Sequence, residues 1–106
     1  MEDVMIAGVG IHPFGRFAVG YRELGAYAAR DALVDAGVGL HDIETILVAN
    51  VGAEMAKGQN VVELLGRPGV PVINVEAACA SSASALRLGA GLIESGQAKV
   101  VLCLGV

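Results

Sequence analysis

The stretch Asn74–Gly96, NVEAACASSASALRLGAGLIESG, constrains this chain more than any other part of it. From Cys79 to Ser95 the only charged residues are Arg87 and Glu94, seven positions apart and so on one narrow stripe of a helix. Most of the remainder is Ala, Ser, Gly, Leu and Ile. A helix with so little polar surface has to be covered on most sides, and its small side chains let a second helix or a sheet come close. Gly89 and Gly91 would each cost about 1 kcal/mol against alanine in a helix interior, a loss that makes sense where another backbone approaches. The sequence therefore predicts layers on either side of Ser81–Ser95.

The bulk composition points the same way. A chain of 106 residues suits one domain, and a domain of that size hides only roughly 65% of its unfolded surface. Yet the AVILMFWYC fraction is 55%, with 15 glycines on top of it. Ordinary domains hold about 45–50% apolar residues with glycine already counted. The excess predicts a part of a larger layered body that also associates through apolar faces.

Local patterns give the elements. Val4–Val9 is a short apolar run ending in glycines and reads as a buried strand. Gly10–Gly20 reads as a loop. Tyr21–Ala36 reads as a helix, with Glu23, Arg30, Asp31 and Asp35 in one arc and Ala28, Ala29, Ala32, Leu33 and Ala36 opposite. Gly37 stops it. Asp42–Glu44 suits a short helical turn, Thr45–Ala49 a strand, and Asn50–Gly58 a loop. Asn60–Leu65 is a short helix stopped by Gly66 and Pro68. Pro71–Val75 is a strand whose proline suits an edge or first position. After the Ser81–Ser95 helix, which ends at Gly96, Lys99–Leu104 reads as a central strand. The order βαβαβαβ, with runs apolar on both faces, predicts an α/β fold with a mostly parallel sheet.

Cys79 falls at the turn from the third of these strands into the charge-poor helix. A helix N-terminus carries roughly half a positive charge, and a thiolate is favoured there. Ala77, Ala78 and Ala80 leave room for a substrate carbonyl, and a backbone N–H of the turn can donate to a developing oxyanion. That is the chemistry of an acyl-accepting nucleophile. The other role open to such a cysteine is that of a small core residue, which is the reading for Cys103 in mid-strand.

Other function classes are argued against. The net charge is −4 and the seven Lys and Arg residues are scattered, so no basic stripe meets a nucleic acid. The longest uncharged run, Val4–Gly15, is far shorter than the about 20 residues of a membrane span. Glu2 and Asp3 are unlike the cationic start of a signal peptide. Cys79 and Cys103 form no CxxC and are too few for a disulfide scaffold, so a reducing cytoplasm is expected. His12, His41 and the two cysteines lack metal-ligand spacing. Gly8-x-Gly10 meets Pro13 where a dinucleotide fingerprint needs glycine. His12 and His41 read as surface or capping residues, and Arg16, Arg22 and Arg30 as a solvated face rather than a phosphate site.

At these residues the sequence resembles the thiolase superfamily, and most closely the thiolases related to sterol carrier protein 2. IAGVGIHPFGRF is similar to the family's first strand and loop. GYRELGAYAARDALVDAGV is similar to its first helix. NVEAACASSASALRLGAGLIESGQAKVVLCLGV is similar to its nucleophile segment, and this last match is the specific one. Many relatives have a glycine just after the cysteine or one residue further on; this chain has Ala80-Ser81-Ser82.

The resemblance implies a thiolase-like layered fold of five layers, αβαβα, built from two duplicated halves with the buried helix in the middle. Residues 1–106 would be the N-terminal part of its N-terminal domain, with the remainder outside this chain. Cys79 would be acylated by an acyl-coenzyme A thioester, its own N–H serving as one oxyanion donor. Coenzyme A and acyl-CoA would be substrates, with no permanently bound cofactor and no metal. The family's base histidine and second cysteine lie downstream, so the chain alone is expected to be inactive. The full-length protein would be an acyltransferase, cleaving 3-ketoacyl-CoA by thiolysis or joining acyl groups by Claisen condensation, and would form a homodimer or higher homo-oligomer. Two alternatives stand beside this. One is a retro-aldol lyase acting on CoA-linked side chains with a small partner subunit. The other is a non-catalytic binding or assembly subunit.

Overall fold

Helix α1 spans Tyr21–Ala36, as its alanine arc predicts. It ends where Gly37 turns left-handed at φ 70°, letting the Gly37 and Val38 N–H groups bond back to Val34 and Leu33. A short 3-10 turn, Leu40–Asp42, leads into strand β1, Thr45–Ala49. Helix α2, Lys57–Leu65, β2, Val72–Val75, α3, Ser81–Glu94, and β3, Val101–Gly105, complete the order. This computed structural model describes residues 3–52, 54–66 and 68–106; Glu2, and Ala53 in the expected Asn50–Gly58 loop, lie outside the described residues.

The three strands are all parallel, in the order β2-β1-β3, with Leu47 opposite Ile73 on one side and Cys103 on the other. Every residue of β1 is buried. Its side chains alternate between two faces, as a strand requires. Ile46 and Val48 join Leu102, Leu104 and Val61 under α1 and α2, whereas Leu47 and Ala49 join Ala85 of α3. Ile46, Leu47, Val48 and Val61 are the largest fully enclosed side chains, each contributing about 1.5–3 kcal/mol by leaving water. The fold is thus α/β, with helices on both faces of a parallel sheet centred on β1.

Three local expectations need correction. Val4–Val9 does not enter the sheet. It runs along α1 instead: an added Cβ at Gly8 or Gly10 would lie 2.5 and 2.4 Å from α1 backbone atoms. Carboxylates on α1 take the N–H groups that a ladder would have used, Asp35 accepting from Val9 at 2.8 Å and Asp31 from Ile11 at 3.3 Å. A cleft of about 1230 Å3, lined by this segment with α1, α3 and β3, opens there, and Met5, Ile6, Val9 and Ile11 stay exposed. Secondly, β3 is an edge strand, not the central one, and only its alternate residues are buried. Thirdly, α2 begins at Lys57 rather than Asn60, because Gly58 lets the helix start lie against Val48 and Asn74. Within this chain α3 is covered on one face only, as expected for a part of a larger layered body. Ser81, Ala85 and Gly89 are buried, while Leu86 and Leu88 are 56% and 50% exposed.

Candidate active site

Ligands of open parallel sheets bind beyond the carboxyl ends of the strands. At that edge lie Asn50 after β1, the Ala78–Ala80 turn after β2, and Gly105 and Val106 at the end of β3. A cavity of about 360 Å3 opens between them, lined among others by Asn50, Ala78, Cys79, Ser82 and Val106. The thiol of Cys79 is free and exposed.

The turn that presents Cys79 is unusual. Ala77 has φ −150° and ψ 41°, and Ala78 is left-handed at φ 49°, a conformation that costs a residue with a Cβ about 1–2 kcal/mol. Side chains on both sides of the thiol hold it. The Ala77 N–H donates to Ser81 Oγ at 2.8 Å, and that hydroxyl donates to the Ala78 carbonyl, also at 2.8 Å. The Ala78 N–H donates to the Glu76 carboxylate at 2.6 Å. The Ala80 N–H returns to the Ala77 carbonyl at 2.9 Å. The flanking amides are therefore taken, and within this turn the Cys79 N–H is the one with no acceptor among the described residues. Ser81 is 5% exposed, so its polar group is engaged where water is scarce.

A second polar cluster pins the same edge of the sheet. Asn50 Nδ2 donates to the Val48 carbonyl and to Asn74 Oδ1, both at 3.0 Å. Asn74 Oδ1 also accepts from the Gly58 N–H at 2.7 Å, and Asn74 Nδ2 donates to Gln59 Oε1 at 2.7 Å. The ends of β1 and β2 and the start of α2 are thereby joined. In the sequence alone, nothing marks Ser81, Glu76, Asn50 or Asn74 as functional. The available signal was position: a serine four residues after Ala77 can bond back to the backbone at a helix start.

The other sequence candidates lie elsewhere. Cys103 packs half-buried against α3, its thiol 3.6 Å from the Ala85 carbonyl, and burial pushes its pKa above the ordinary 9.0. His12 sits edge-on to Phe17 and Tyr27, at centroid distances of 4.5 and 4.6 Å. His41 is 3.5 Å from Asp42. Neither histidine lines the cavity at Cys79. Arg16 is exposed. Arg22 and Arg30 bridge α1 to α2, donating to the carbonyls of Asn60 and Leu64, and Arg22 also pairs with Glu63 at 3.5 Å. No helix among the described residues is long and apolar enough to cross a membrane. No three His, Cys, Asp or Glu side chains gather among them as a metal ion would need.

Known proteins share this chain's sequence pattern and fold. The family described as thiolase, N-terminal domain, matches residues 4–106. Sterol carrier protein 2 of Gallus gallus is 36% identical over 96% of this chain and 19% of its own length. The acetyl-CoA acetyltransferase of Methanothermobacter thermautotrophicus is 35% identical over 100% of this chain and 29% of its own. Among solved structures, 3-oxoacyl-[acyl-carrier-protein] synthase III of Aquifex aeolicus superposes with a TM-score of 0.77 at 26% identity, over 84% of this chain and 30% of that one. The chain thus spans less than a third of the length of each of these relatives.

Proposed function

Because this chain belongs to the thiolase N-terminal domain family, we propose that it carries the nucleophile of an acyl-coenzyme A acyltransferase, with Cys79 as the residue that takes the acyl group. One observation carries the reading. An exposed thiol lines the cavity at the carboxyl edge of the parallel sheet, at the foot of α3, beside a backbone N–H that has no other acceptor among the described residues. That N–H is available to an oxyanion, and donors of this kind act most strongly where they are fixed before reaction.

The step assigned to this chain is acylation. The Cys79 thiolate attacks the carbonyl carbon of an acyl-CoA thioester. A new carbon–sulfur bond forms while the carbonyl oxygen gains negative charge next to the Cys79 N–H. The tetrahedral species collapses, the bond to the coenzyme A sulfur breaks, and coenzyme A leaves as a thiolate that takes up a proton from water. The acyl group remains on Cys79. Passing it on to coenzyme A or to a second acyl group, in thiolysis or Claisen condensation, requires a proton-moving base at the cavity, and neither histidine of this chain lines it. We assign the whole cycle to a larger protein with acyl-CoA as its substrate, a reading supported by the relatives' greater length. The uncovered apolar residues Leu86 and Leu88 of α3 support association with further polypeptide, a second copy included. The two unpaired cysteines fit a cytoplasmic setting.

Incubation with acetyl-CoA followed by intact-mass measurement tests the assignment. The full-length wild-type protein gains one acetyl group and its Cys79→Ala variant gains none. Because Cys103 is present in both proteins, equal acetylation of the variant would remove Cys79 from the role.

A further inference from the structure

Resting on the acyl-transfer reading of Cys79, we infer that Ser81 and Glu76 are positioning residues for it, forming a clamp that holds the strained turn and reserves the Cys79 N–H for the reacting oxygen. The observations lie on both sides of the thiol. Ala78 is left-handed without being glycine, so the turn persists only if its surroundings over-determine it. Two side chains do so. Ser81, buried at the first position of α3, accepts from the Ala77 N–H and donates to the Ala78 carbonyl. Glu76, at the end of β2, accepts from the Ala78 N–H.

The consequence is a division of labour among the amides. The turn carries four successive N–H groups, Ala77 to Ala80. Ser81, Glu76 and the Ala77 carbonyl occupy those of Ala77, Ala78 and Ala80. Of these four, only the Cys79 N–H has no internal acceptor among the described residues. Without the clamp, Ala78 relaxes toward a right-handed conformation, the two freed N–H groups compete for the same oxygen or for water, and the Cys79 N–H loses its fixed direction. The clamp acts on the reaction through the geometry of Cys79, and neither side chain needs to touch the substrate.

The test measures, in the full-length protein, the rate of acetyl-adduct formation by intact mass across a range of acetyl-CoA concentrations. Ser81→Ala lowers the maximal acylation rate about tenfold or more and leaves the half-saturating concentration unchanged. Glu76 is exposed, so Glu76→Ala reports on the clamp without touching the core. It lowers the maximal rate in the same way, while Glu76→Gln, which keeps an acceptor oxygen, restores it. Amide hydrogen exchange, which needs no substrate, accompanies the kinetics: the Ala77 N–H exchanges faster in Ser81→Ala and the Ala78 N–H faster in Glu76→Ala, while β1 amides keep their protection. Wild-type maximal rates in both alanine variants, with Cys79→Ala inert, overturn the clamp and leave the nucleophile standing. Unchanged exchange at Ala77 and Ala78 overturns it as well. Failure of the full-length wild-type protein to take any acetyl group overturns the acyl-transfer reading itself, and with it the clamp as a device of that reaction.

Discussion

Alanine at Gly91 should stabilise the protein, while alanine at Gly89, two residues earlier in the same helix, should not. Both glycines sit inside α3, where alanine is intrinsically better by about 1 kcal/mol. A Cβ at Gly91 would meet no atom within 4 Å, so the full gain should appear. A Cβ at Gly89 would stand 3.0 Å from Cys103 Sγ, 3.4 Å from Val101 Cγ1 and 3.5 Å from Leu47 Cδ1. The sulfur must give way by a few tenths of an ångström, and Leu47 behind it is 1% exposed and cannot retreat far. Overpacking of this kind costs about 1–3 kcal/mol, which cancels or exceeds the helical gain. Net effects are thus about 1 kcal/mol of stabilisation for Gly91→Ala and between zero and about 2 kcal/mol of loss for Gly89→Ala. Urea unfolding followed by circular dichroism resolves the difference, since 1 kcal/mol moves the midpoint by roughly 0.3–1 M for a small protein. Adding Cys103→Ala to Gly89→Ala removes the closest atom and should recover part of the loss as a coupling between neighbours. Equal stabilisation by both alanines would refute the packing argument, and a loss at Gly91 would refute the claim that its side of the helix is open.

Two further outcomes are expected. Gly58→Ala should destabilise by about 2 kcal/mol despite its better helix propensity, because a Cβ there would lie 2.7 Å from Asn74 Oδ1 and 2.9 Å from Val48. It would displace the two hydrogen bonds that oxygen accepts, each contributing about 1 kcal/mol, and a raised urea midpoint would contradict this. Stability should also fall as pH rises past about 9, and less so in Cys103→Ala. Burial raises the folded thiol above 9.0, so the unfolded chain releases this proton first; the contribution is intact below that value and is lost as pH climbs through the folded one. Tyr21 adds a loss of the same sign: the Asn60 hydrogen bond lowers its value, but the hydrogen bond to Glu54, desolvation and the Glu54 charge together raise it. The difference between the two proteins across pH 8 to 11 therefore isolates the thiol, and identical slopes would show that Cys103 is not shielded.

What the sequence determined by itself was whatever depends on neighbours along the chain. The alanine arc and Gly37 placed α1, the apolar run Thr45–Ala49 placed β1, and the small-residue stretch placed α3 with Cys79 at its foot. Each follows from a period or a breaker within a few residues. What only the tertiary structure decided was which apolar runs find partners. Val4–Val9 and Val101–Gly105 look alike as strings, yet one joins the sheet and the other is held on α1 by Asp31 and Asp35. Gly89 and Gly91 look alike as well, and only Gly89 has a neighbour that requires its bareness. The hydroxyl of Ser81 reads as one more small helix residue until the left-handed turn at Ala78 folds two backbone groups onto it. Periodicity is carried by the chain itself, whereas ladder partners, close approaches and hydrogen bonds across a turn exist only once distant or strained backbone has been brought into place.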